Sequence, residues 1–316
     1  MKIIYMGSPD FSVYGLNALA ASHHEIVAVV SREDKIKGRK KQLQPTDVKK
    51  RALELNLPVY TPKNVNDAAF LEELKTLDAD IIVVSAFGRI LKSEILNLLP
   101  YGVLNIHGSL LPYYRGASPM NAVLANGEKE TGITIMYMNE GMDEGDILKS
   151  EVLAIDEDET FGVLKQRMGE LGGKMIVECL DLLAAGNAPR IRQDHEQASY
   201  CQLLTREDER IDWNRSGREI HNQIRSLSPE PGAYTYLNHT PFKIIETHFE
   251  PGNQVEFSGT VLKADKKTGV AVGVKDGILR LKKVKPQGKK EMNANDWYRG
   301  LHTSEPLKFK NTEQED

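Results

Sequence analysis

Short apolar runs alternate with amphipathic stretches along the first half of the chain. Strands are predicted where apolar and β-branched residues form short runs, at 2–6, 25–30, 81–84 and 131–138. Helices are predicted where apolar residues recur every three or four positions, at 11–21, 46–55, 67–77, 118–127 and 160–185. Strands that alternate with helices indicate βαβ units, so the first half is predicted to be an α/β fold with a doubly wound, mostly parallel sheet.

The pattern changes after Pro189. Residues 190–208 are polar and only weakly periodic, which is typical of a linker. A short helix is then predicted at 216–226, followed by short β-like runs at 233–237, 242–247, 259–262, 269–274 and 278–284. Several short strands at this spacing favour a small β-barrel. The predicted organisation is therefore an α/β domain at 1–189, a linker at 190–208 and a barrel domain at 209–316.

Composition agrees with a two-domain globular protein. The chain has 316 residues, of which 40% are hydrophobic and 27% charged. No apolar run is long enough for a transmembrane helix, and the first residues lack the features of a secretory signal. Cys179 and Cys201 are the only cysteines, which excludes a disulfide scaffold and a multi-cysteine metal site. We expect a cytoplasmic protein.

Charge is distributed unevenly along the chain. The net charge of −4 argues mildly against a polyanionic partner. However, residues 35–51 carry eight cations against Asp47, and residues 260–300 carry eleven against four acids, so each block has a net charge of +7. Residues 140–159 carry nine acids against Lys149. The average therefore conceals two basic blocks that a polyanion could contact.

Two polar residues share one face of a strand predicted at 102–108. Side chains alternate along a strand, so Asn105 and His107 point the same way, about 7 Å apart, while Leu104 and Ile106 face the other way. Polar groups at the carboxyl end of a parallel strand lie where open α/β sheets bind ligands. The pattern is compatible with catalysis. It is also compatible with an asparagine that satisfies backbone groups and an ordinary structural histidine.

Two further segments extend this candidate site. The loop at 109–116 contains a proline and aromatic residues, so it could form a wall for a flat ligand or simply connect two elements. The turn at 141–146 is acidic and flanked by glycines. Such turns are usually solvated, but a carboxylate that reached His107 would raise its basicity and fix its orientation.

Together these segments resemble a known signature. The ordered motif Asn105-x-His107-x-Ser109-Leu110-Leu111-Pro112-x-Tyr114-Arg115-Gly116, with the later Asp143 turn, resembles that of the 10-formyltetrahydrofolate-dependent formyltransferases. The resemblance extends over essentially the full length. Further similar segments are Gly7-Ser8-Pro9-Asp10-Phe11, Gly38-Arg39-Lys40-Lys41-Gln42-Leu43, Asn222-Gln-Ile-Arg225 and Pro231-Gly-Ala-Tyr-Thr235.

The chain departs from that family at two places. Met120-Asn121-Ala122 stands where the family usually has Gln-Trp-Ala, and Glu230 stands where it usually has tryptophan. Neither departure affects Asn105, His107 or Asp143. They concern local packing and the finer substrate contacts.

The resemblance implies a Rossmann-like formyltransferase domain, an OB-like barrel and a reaction. A formyl group would move from the folate N10 to an amine, through a tetrahedral oxyanion. Asn105 would donate to the oxyanion, His107 would stabilise it and take part in proton transfer, and Asp143 would hold His107. No metal and no covalent enzyme intermediate are expected. The residues expected at the folate are Phe87, Gly88, Arg89, Ile90, Ser109, Leu110, Leu111 and Pro112.

The full-length resemblance points to the branch of the family that formylates methionyl-initiator tRNA for translation initiation. It implies that the basic loop enters the tRNA acceptor stem and that the basic barrel strip binds phosphates. On composition alone, both could instead be solvated surface features. The residues expected at the tRNA are Arg39, Lys40, Lys41, Lys282, Lys283 and Lys285. We expect a monomer.

Other functions remain open at this stage. An amino sugar nucleotide formyltransferase and a 10-formyltetrahydrofolate hydrolase resemble the chain around Asn105 and His107, and the glycinamide ribonucleotide enzyme lacks a basic barrel. A nucleotide-dependent dehydrogenase would need a G-x-G-x-x-G turn, which Gly7-Ser8-Pro9-Asp10 does not supply. An RNA-binding module would leave Asn105, His107 and Asp143 unexplained.

Overall fold

The computed structural model describes residues 1–37, 42–253, 258–265, 269–301 and 307–314. The chain divides into two compact units, each built from segments that are separate in sequence. The first unit comprises Met1–Gly116, Thr131–Leu153 and Lys165–Cys201. The second comprises Ala117–Glu130, Ala154–Leu164 and Gln202–Asp316. The predicted contiguous domains therefore differ from the observed units, because two internal segments belong to the second unit.

The elements follow one another in an α/β pattern and then a β-rich pattern. The strands are β1 (Lys2–Gly7), β2 (Glu25–Val30), β3 (Lys35–Lys37), β4 (Gln42–Gln44), β5 (Val59–Tyr60), β6 (Ile81–Ser85), β7 (Val103–His107), β8 (Arg115–Gly116), β9 (Glu130–Tyr137), β10 (Ile147–Ala154), β11 (Tyr200–Cys201), β12 (Ala233–Leu237), β13 (Thr240–Pro251), β14 (Val261–Asp265), β15 (Gly269–Val274), β16 (Gly277–Pro286) and β17 (Met292–Asn293). The helices are α1 (Asp10–Ala20), α2 (Asp47–Glu54), α3 (Ala68–Lys75), α4 (Ser93–Leu96), α5 (Pro119–Ala125), α6 (Phe161–Ala184), α7 (Gly217–Ser226) and α8 (Ala294–Arg299), with a 3-10 turn at His195–Gln197.

A mostly parallel sheet forms the centre of the first unit, as predicted. Its strand order is β10-β9-β7-β6-β1-β2-β5. The central strands β7, β6, β1, β2 and β5 pair in parallel, and β9 pairs antiparallel to β7. Residues of β6 and β7 are buried at every position, as expected for strands covered on both faces. Because β6 and β7 pair in parallel, their carboxyl ends lie side by side at the same end of the sheet.

Helix ends follow the signals in the sequence. The Thr46 hydroxyl accepts a hydrogen bond from the Lys49 backbone N–H at the start of α2, and the Asp67 carboxylate accepts one from Ala69 at the start of α3. Pro119 is the first residue of α5. Gly186, with φ of +71°, follows the end of α6. Within the described ranges, no helix combines the length and apolarity needed to cross a membrane.

The second unit contains the predicted barrel as a curled antiparallel sheet. Its strand order is β12-β13-β16-β15-β14, and β17 pairs with β16. Residues 307–310 hydrogen-bond to both edges: Phe309 donates to the Gly259 carbonyl, and Lys310 exchanges backbone hydrogen bonds with Tyr236. Inside, the rings of Trp213 and Phe309 stack with centroids 5.6 Å apart. The terminal segment thus joins the two edges of the sheet.

The segment predicted as a linker, 190–208, is folded in its first part. Ile191 exchanges backbone hydrogen bonds with Ile147, and β11 pairs in parallel with β8. Gln193 is only 6% exposed. The sequence pattern did not reveal these contacts, because the partners of Ile191, Gln193 and β11 are distant in the sequence.

Candidate active site

The two polar residues of β7 lie on one face of the sheet, as predicted. Asn105 is 9% exposed and His107, the last residue of β7, is 5% exposed. Ile106 points to the opposite face, where it packs so closely on Gly15 of α1 and Gly172 of α6 that a Cβ at either position would lie about 3 Å from its side chain. This packing fixes the strand and leaves the other face to Asn105 and His107.

The Asn105 side-chain amide lacks a hydrogen-bond partner among the described residues. Its side chain makes no hydrogen bond to any other residue in the described ranges. A buried amide is normally hydrogen-bonded, because burying an unsatisfied polar group costs free energy. Asn105 is therefore available to donate to a ligand at the carboxyl end of β7.

One ring nitrogen of His107 is hydrogen-bonded and the other faces a carboxylate. Nε2 lies 3.1 Å from the Tyr114 carbonyl oxygen, so Nε2 carries a hydrogen, since a carbonyl only accepts. Nδ1 lies 3.7 Å from Oδ2 of Asp143. The ring therefore lies between a carbonyl and a carboxylate, which would both stabilise a positive charge on it.

The Asp143 turn is built to direct its carboxylate towards His107. Asp143 has a φ of +52°, in the left-handed region that aspartate tolerates better than most residues. Its Oδ2 accepts a hydrogen bond of 2.8 Å from the Gly116 backbone N–H. One carboxylate oxygen thus contacts both the loop after β7 and the His107 ring.

A buried network that the sequence did not reveal supports this turn. Arg115 is 1% exposed and donates from Nε and Nη2 to Oε1 of Gln193. The Gln193 amide nitrogen in turn donates to the carbonyls of Asp143 and Gly145, at 2.9 and 2.7 Å. Arg115 also donates to the Tyr200 hydroxyl. Arg115 belongs to the motif, but no sequence signal marked Gln193, which lies in the predicted linker.

We expect Gln193→Ala to loosen the Asp143 turn. It would leave two buried carbonyls and part of a buried guanidinium unpaired, so the free energy of unfolding should fall by about 1–3 kcal/mol. Denaturant unfolding would measure this. Gln193→Glu is the matched variant: it keeps an acceptor for Arg115 but sets a carboxylate against both carbonyls. If both variants unfold like the wild type, Gln193 does not support the turn.

The predicted folate residues lie in two loops at the carboxyl ends of neighbouring strands. Residues 87–90 follow β6 and residues 109–112 follow β7. Phe87, Ser109 and Leu111 are buried, and the Ser109 hydroxyl donates to the Tyr113 carbonyl. Gly88, Arg89 and Ile90 are exposed, and Leu110 and Pro112 are half-buried. The second group is thus the one that presents surface to a ligand.

A cavity of about 440 Å³ borders the Asp143 turn. It is lined by Tyr137, Met138, Asn139, Glu144, Gly145, Asp146, Arg190, Arg192, Gln193 and His195. The Arg190 guanidinium lies 3.7 Å from the centroid of the Tyr137 ring. None of the predicted folate residues lines this cavity, which sequence reasoning did not find.

The predicted tRNA residues fall into three groups. Arg39, Lys40 and Lys41 lie outside the described residues, between the antiparallel strands β3 and β4. Lys282 and Lys283 form ion pairs with Asp158 and Glu246. Lys285 is exposed and has no ion pair within the described chain.

The Asp158 carboxylate holds Lys282 in place. It accepts hydrogen bonds from Lys282 Nζ at 2.7 Å and from His248 Nδ1 at 2.9 Å. Burial alone would raise the pKa of Asp158, but these hydrogen bonds outweigh burial and lower it below its usual range. Lys282 is therefore already paired with an ionised acid, which makes it a weaker candidate for phosphate binding than Lys285.

Comparison with known proteins identifies both parts of the chain. The profile described as "Formyl transferase" matches residues 1–180, and "Formyl transferase, C-terminal domain" matches residues 203–302. A methionyl-tRNA formyltransferase of Clostridioides difficile is 42% identical over 95% of this chain and 97% of its own length. One of Staphylococcus aureus is 39% identical over 96% of this chain and 97% of its own length.

A solved structure shares the fold. It is an N-formyltransferase from Helicobacter canadensis, in complex with folinic acid and dTDP-3-aminofucose. The TM-score is 0.65 at 21% identity, over 88% of this chain and 97% of that one. At this level of identity the likeness concerns the fold alone.

Proposed function

The chain belongs to the formyl transferase family, and on that premise we propose that it transfers a formyl group from 10-formyltetrahydrofolate to the α-amino group of methionyl-initiator tRNA. One observation carries the chemistry. An uncommitted Asn105 amide lies on the same strand face as His107, whose ring faces the Asp143 carboxylate. The relatives at about 40% identity over nearly the whole chain support methionyl-tRNA as the acceptor.

Asn105 supplies the oxyanion contact. The amine attacks the formyl carbon, a C–N bond forms, and the carbonyl oxygen gains negative charge. When the tetrahedral intermediate collapses, the bond to the folate N10 breaks and N10 takes a proton. The Asn105 amide N–H groups are free to donate to that oxygen, which is the contact that lowers the barrier.

His107 and Asp143 stabilise charge at the reacting groups. The attacking amine must lose a proton while N10 gains one. An imidazolium formed at His107 would lie beside Asp143 and the Tyr114 carbonyl, which stabilise it without rearrangement. Direct proton transfer by Nε2 would first require the ring to release Tyr114. The contribution of His107 in the observed geometry is therefore electrostatic.

The folate would bind where two loops present surface. Ile90 is 84% exposed, an unusual position for a large apolar side chain, and it follows the strand next to β7. A flat pterin ring is a natural partner for such a surface. Gly88, Arg89, Leu110 and Pro112 would complete the contact, while Phe87, Ser109 and Leu111 hold the loops from inside.

One assay separates the proposed reaction from its rivals. The chain is supplied with 10-formyltetrahydrofolate and with methionyl-tRNA, an amino sugar nucleotide and water as competing acceptors. We expect the formyl group on methionyl-tRNA. Preferential formylation of the sugar nucleotide, or release of formate alone, would reject the proposed acceptor while leaving the family unchanged.

We expect Arg39→Ala to raise the KM for methionyl-tRNA and to leave the KM for the folate unchanged. Arg39 belongs to the basic block at 35–51. Loss of one phosphate contact should reduce the slope of log affinity against log salt concentration by about one. Steady-state kinetics at several salt concentrations would measure both effects. Lys285→Ala should act similarly, and Lys282→Ala less because Lys282 is ion-paired. Unchanged tRNA kinetics in Arg39→Ala would reject this role.

A further inference from the structure

Two adjacent histidines meet an acid of a distant helix in the first unit. His23 and His24 lie between α1 and β2, and Asp181 lies near the end of α6. Nε2 of His23 is 2.9 Å from Oδ1 of Asp181, and Nε2 of His24 is 3.4 Å from the same oxygen. One ligand atom from each residue lies within 4.8 Å of the other two. This cluster is separate from Asn105, His107 and Asp143.

His24 cannot be explained as a surface ion pair. Its side chain is 1% exposed, and Nε2 has no hydrogen-bond partner among the residues described. Its Nδ1, by contrast, lies 3.2 Å from the Met1 amino group. An unsatisfied buried ring nitrogen costs free energy unless something binds it. The Met1 ammonium can only donate, so Nδ1 accepts and Nε2 carries the hydrogen of the neutral ring. This unpartnered N–H faces Asp181. Binding of a metal ion at Nε2 would move the hydrogen to Nδ1, with the Met1 amine, then neutral, accepting from it.

We propose that Nε2 of His23, Nε2 of His24 and the Asp181 carboxylate bind a divalent transition-metal ion of the zinc class. Imidazole nitrogen and carboxylate oxygen suit Zn²⁺, whereas Mg²⁺ and Ca²⁺ prefer oxygen alone. In a tetrahedral site with bonds of about 2.0–2.2 Å, ligand atoms lie roughly 3.3–3.6 Å apart. The His24–Asp181 distance of 3.4 Å matches that spacing, and the His23–Asp181 distance of 2.9 Å would lengthen as the exposed His23 side chain rotates.

The exposure of the three ligands suits a site with an open position. His23 is 69% exposed and Asp181 49% exposed, so the His23 side chain can rotate and solvent can supply a fourth ligand.

A metal here would fasten α6 to the turn before β2. Binding to the folded chain alone stabilises it in proportion to the logarithm of the metal concentration over Kd. We expect one Zn²⁺ per chain and a Tm that rises with Zn²⁺. Because the imidazole must shed a proton to coordinate, the affinity should weaken at lower pH.

Equilibrium dialysis of the full chain, first stripped with chelator, tests the site with Zn²⁺ and Mg²⁺. His23→Gln and Asp181→Asn change exposed side chains, so both variants should fold. Loss of a residue that only hydrogen-bonds to a metal ligand typically lowers metal affinity 10–100-fold. Loss of a ligand itself should therefore weaken Zn²⁺ binding at least tenfold in each variant. The Zn²⁺-dependent rise in Tm should be lost with it.

The matched controls are Glu170→Gln, an acid on the same helix, and His239→Gln, an exposed histidine of the other unit. Both should bind Zn²⁺ like the wild type. Zn²⁺ binding that is unaffected in His23→Gln and Asp181→Asn would overturn the proposal, and so would Mg²⁺ binding as tight as that of Zn²⁺. Formyl transfer should be unchanged in all four variants, so this test is independent of the proposed function.

Discussion

Replacing Asn105 by alanine is expected to lower kcat for formyl transfer by about 10²–10³-fold, the usual cost of losing one oxyanion donor. The KM values for the folate and for methionyl-tRNA should change little, because the contact strengthens only as the oxyanion forms. The fold should survive. The Asn105 amide has no hydrogen bond to another described residue, so its removal leaves no protein group unsatisfied.

The control for this variant is Asn97→Ala. Asn97 is exposed at the end of α4, outside β7, and its amide donates to the Ser93 carbonyl. It should retain wild-type kcat. Thermal unfolding of both variants separates a catalytic loss from a loss of folded protein. A kcat for Asn105→Ala near that of the wild type would mean that the oxyanion is stabilised elsewhere.

Asp143→Asn is expected to lower kcat by at least about 10²-fold, the scale of losing one electrostatic contact that stabilises the transition state. The amide oxygen can still accept from Gly116, so the turn should keep its shape. What disappears is the negative charge 3.7 Å from the His107 ring, which stabilises the imidazolium. Asp143→Ala, which also loses the Gly116 hydrogen bond, should be at least as impaired.

The control is Asp67→Asn, which makes the same acid-to-amide change at a residue outside the proposed active site. Asp67 caps α3, and asparagine caps a helix as well as aspartate does. This variant should match the wild type in kcat and in unfolding. If Asp143→Asn behaved like Asp67→Asn, the charge on residue 143 would have no part in catalysis.

Two kinds of element were predictable from the sequence: strands buried at every position, and helices whose first turn is capped by a nearby side chain. The run 81–84 indicated a strand buried on both faces, and β6 is buried throughout. Thr46 and Asp67 marked the starts of α2 and α3. The strand β10 was missed because it lies at the edge of the sheet, where only Leu148 is fully buried and the alternation is therefore weak.

Only the parts of the site formed by residues close together in the sequence were predictable from alternation alone. Asn105 and His107 were placed together by strand alternation, and the approach of Asp143 followed from the resemblance. The support from Gln193 and the meeting of His23 and His24 with Asp181 could not be predicted, because they depend on tertiary contacts between segments that are distant in sequence. Polar residues in such segments carry no periodic signal.

A single-turnover experiment tests the proposed reaction and its site together. Wild type and Asn105→Ala, each in excess over methionyl-tRNA, receive 10-formyltetrahydrofolate labelled in the formyl group, and the label is followed with time. We predict that the wild type yields labelled formylmethionine on the tRNA and that the variant does so about 10²–10³-fold more slowly. Label released as formate by the wild type, or equal rates in both proteins, would contradict the proposed reaction at Asn105.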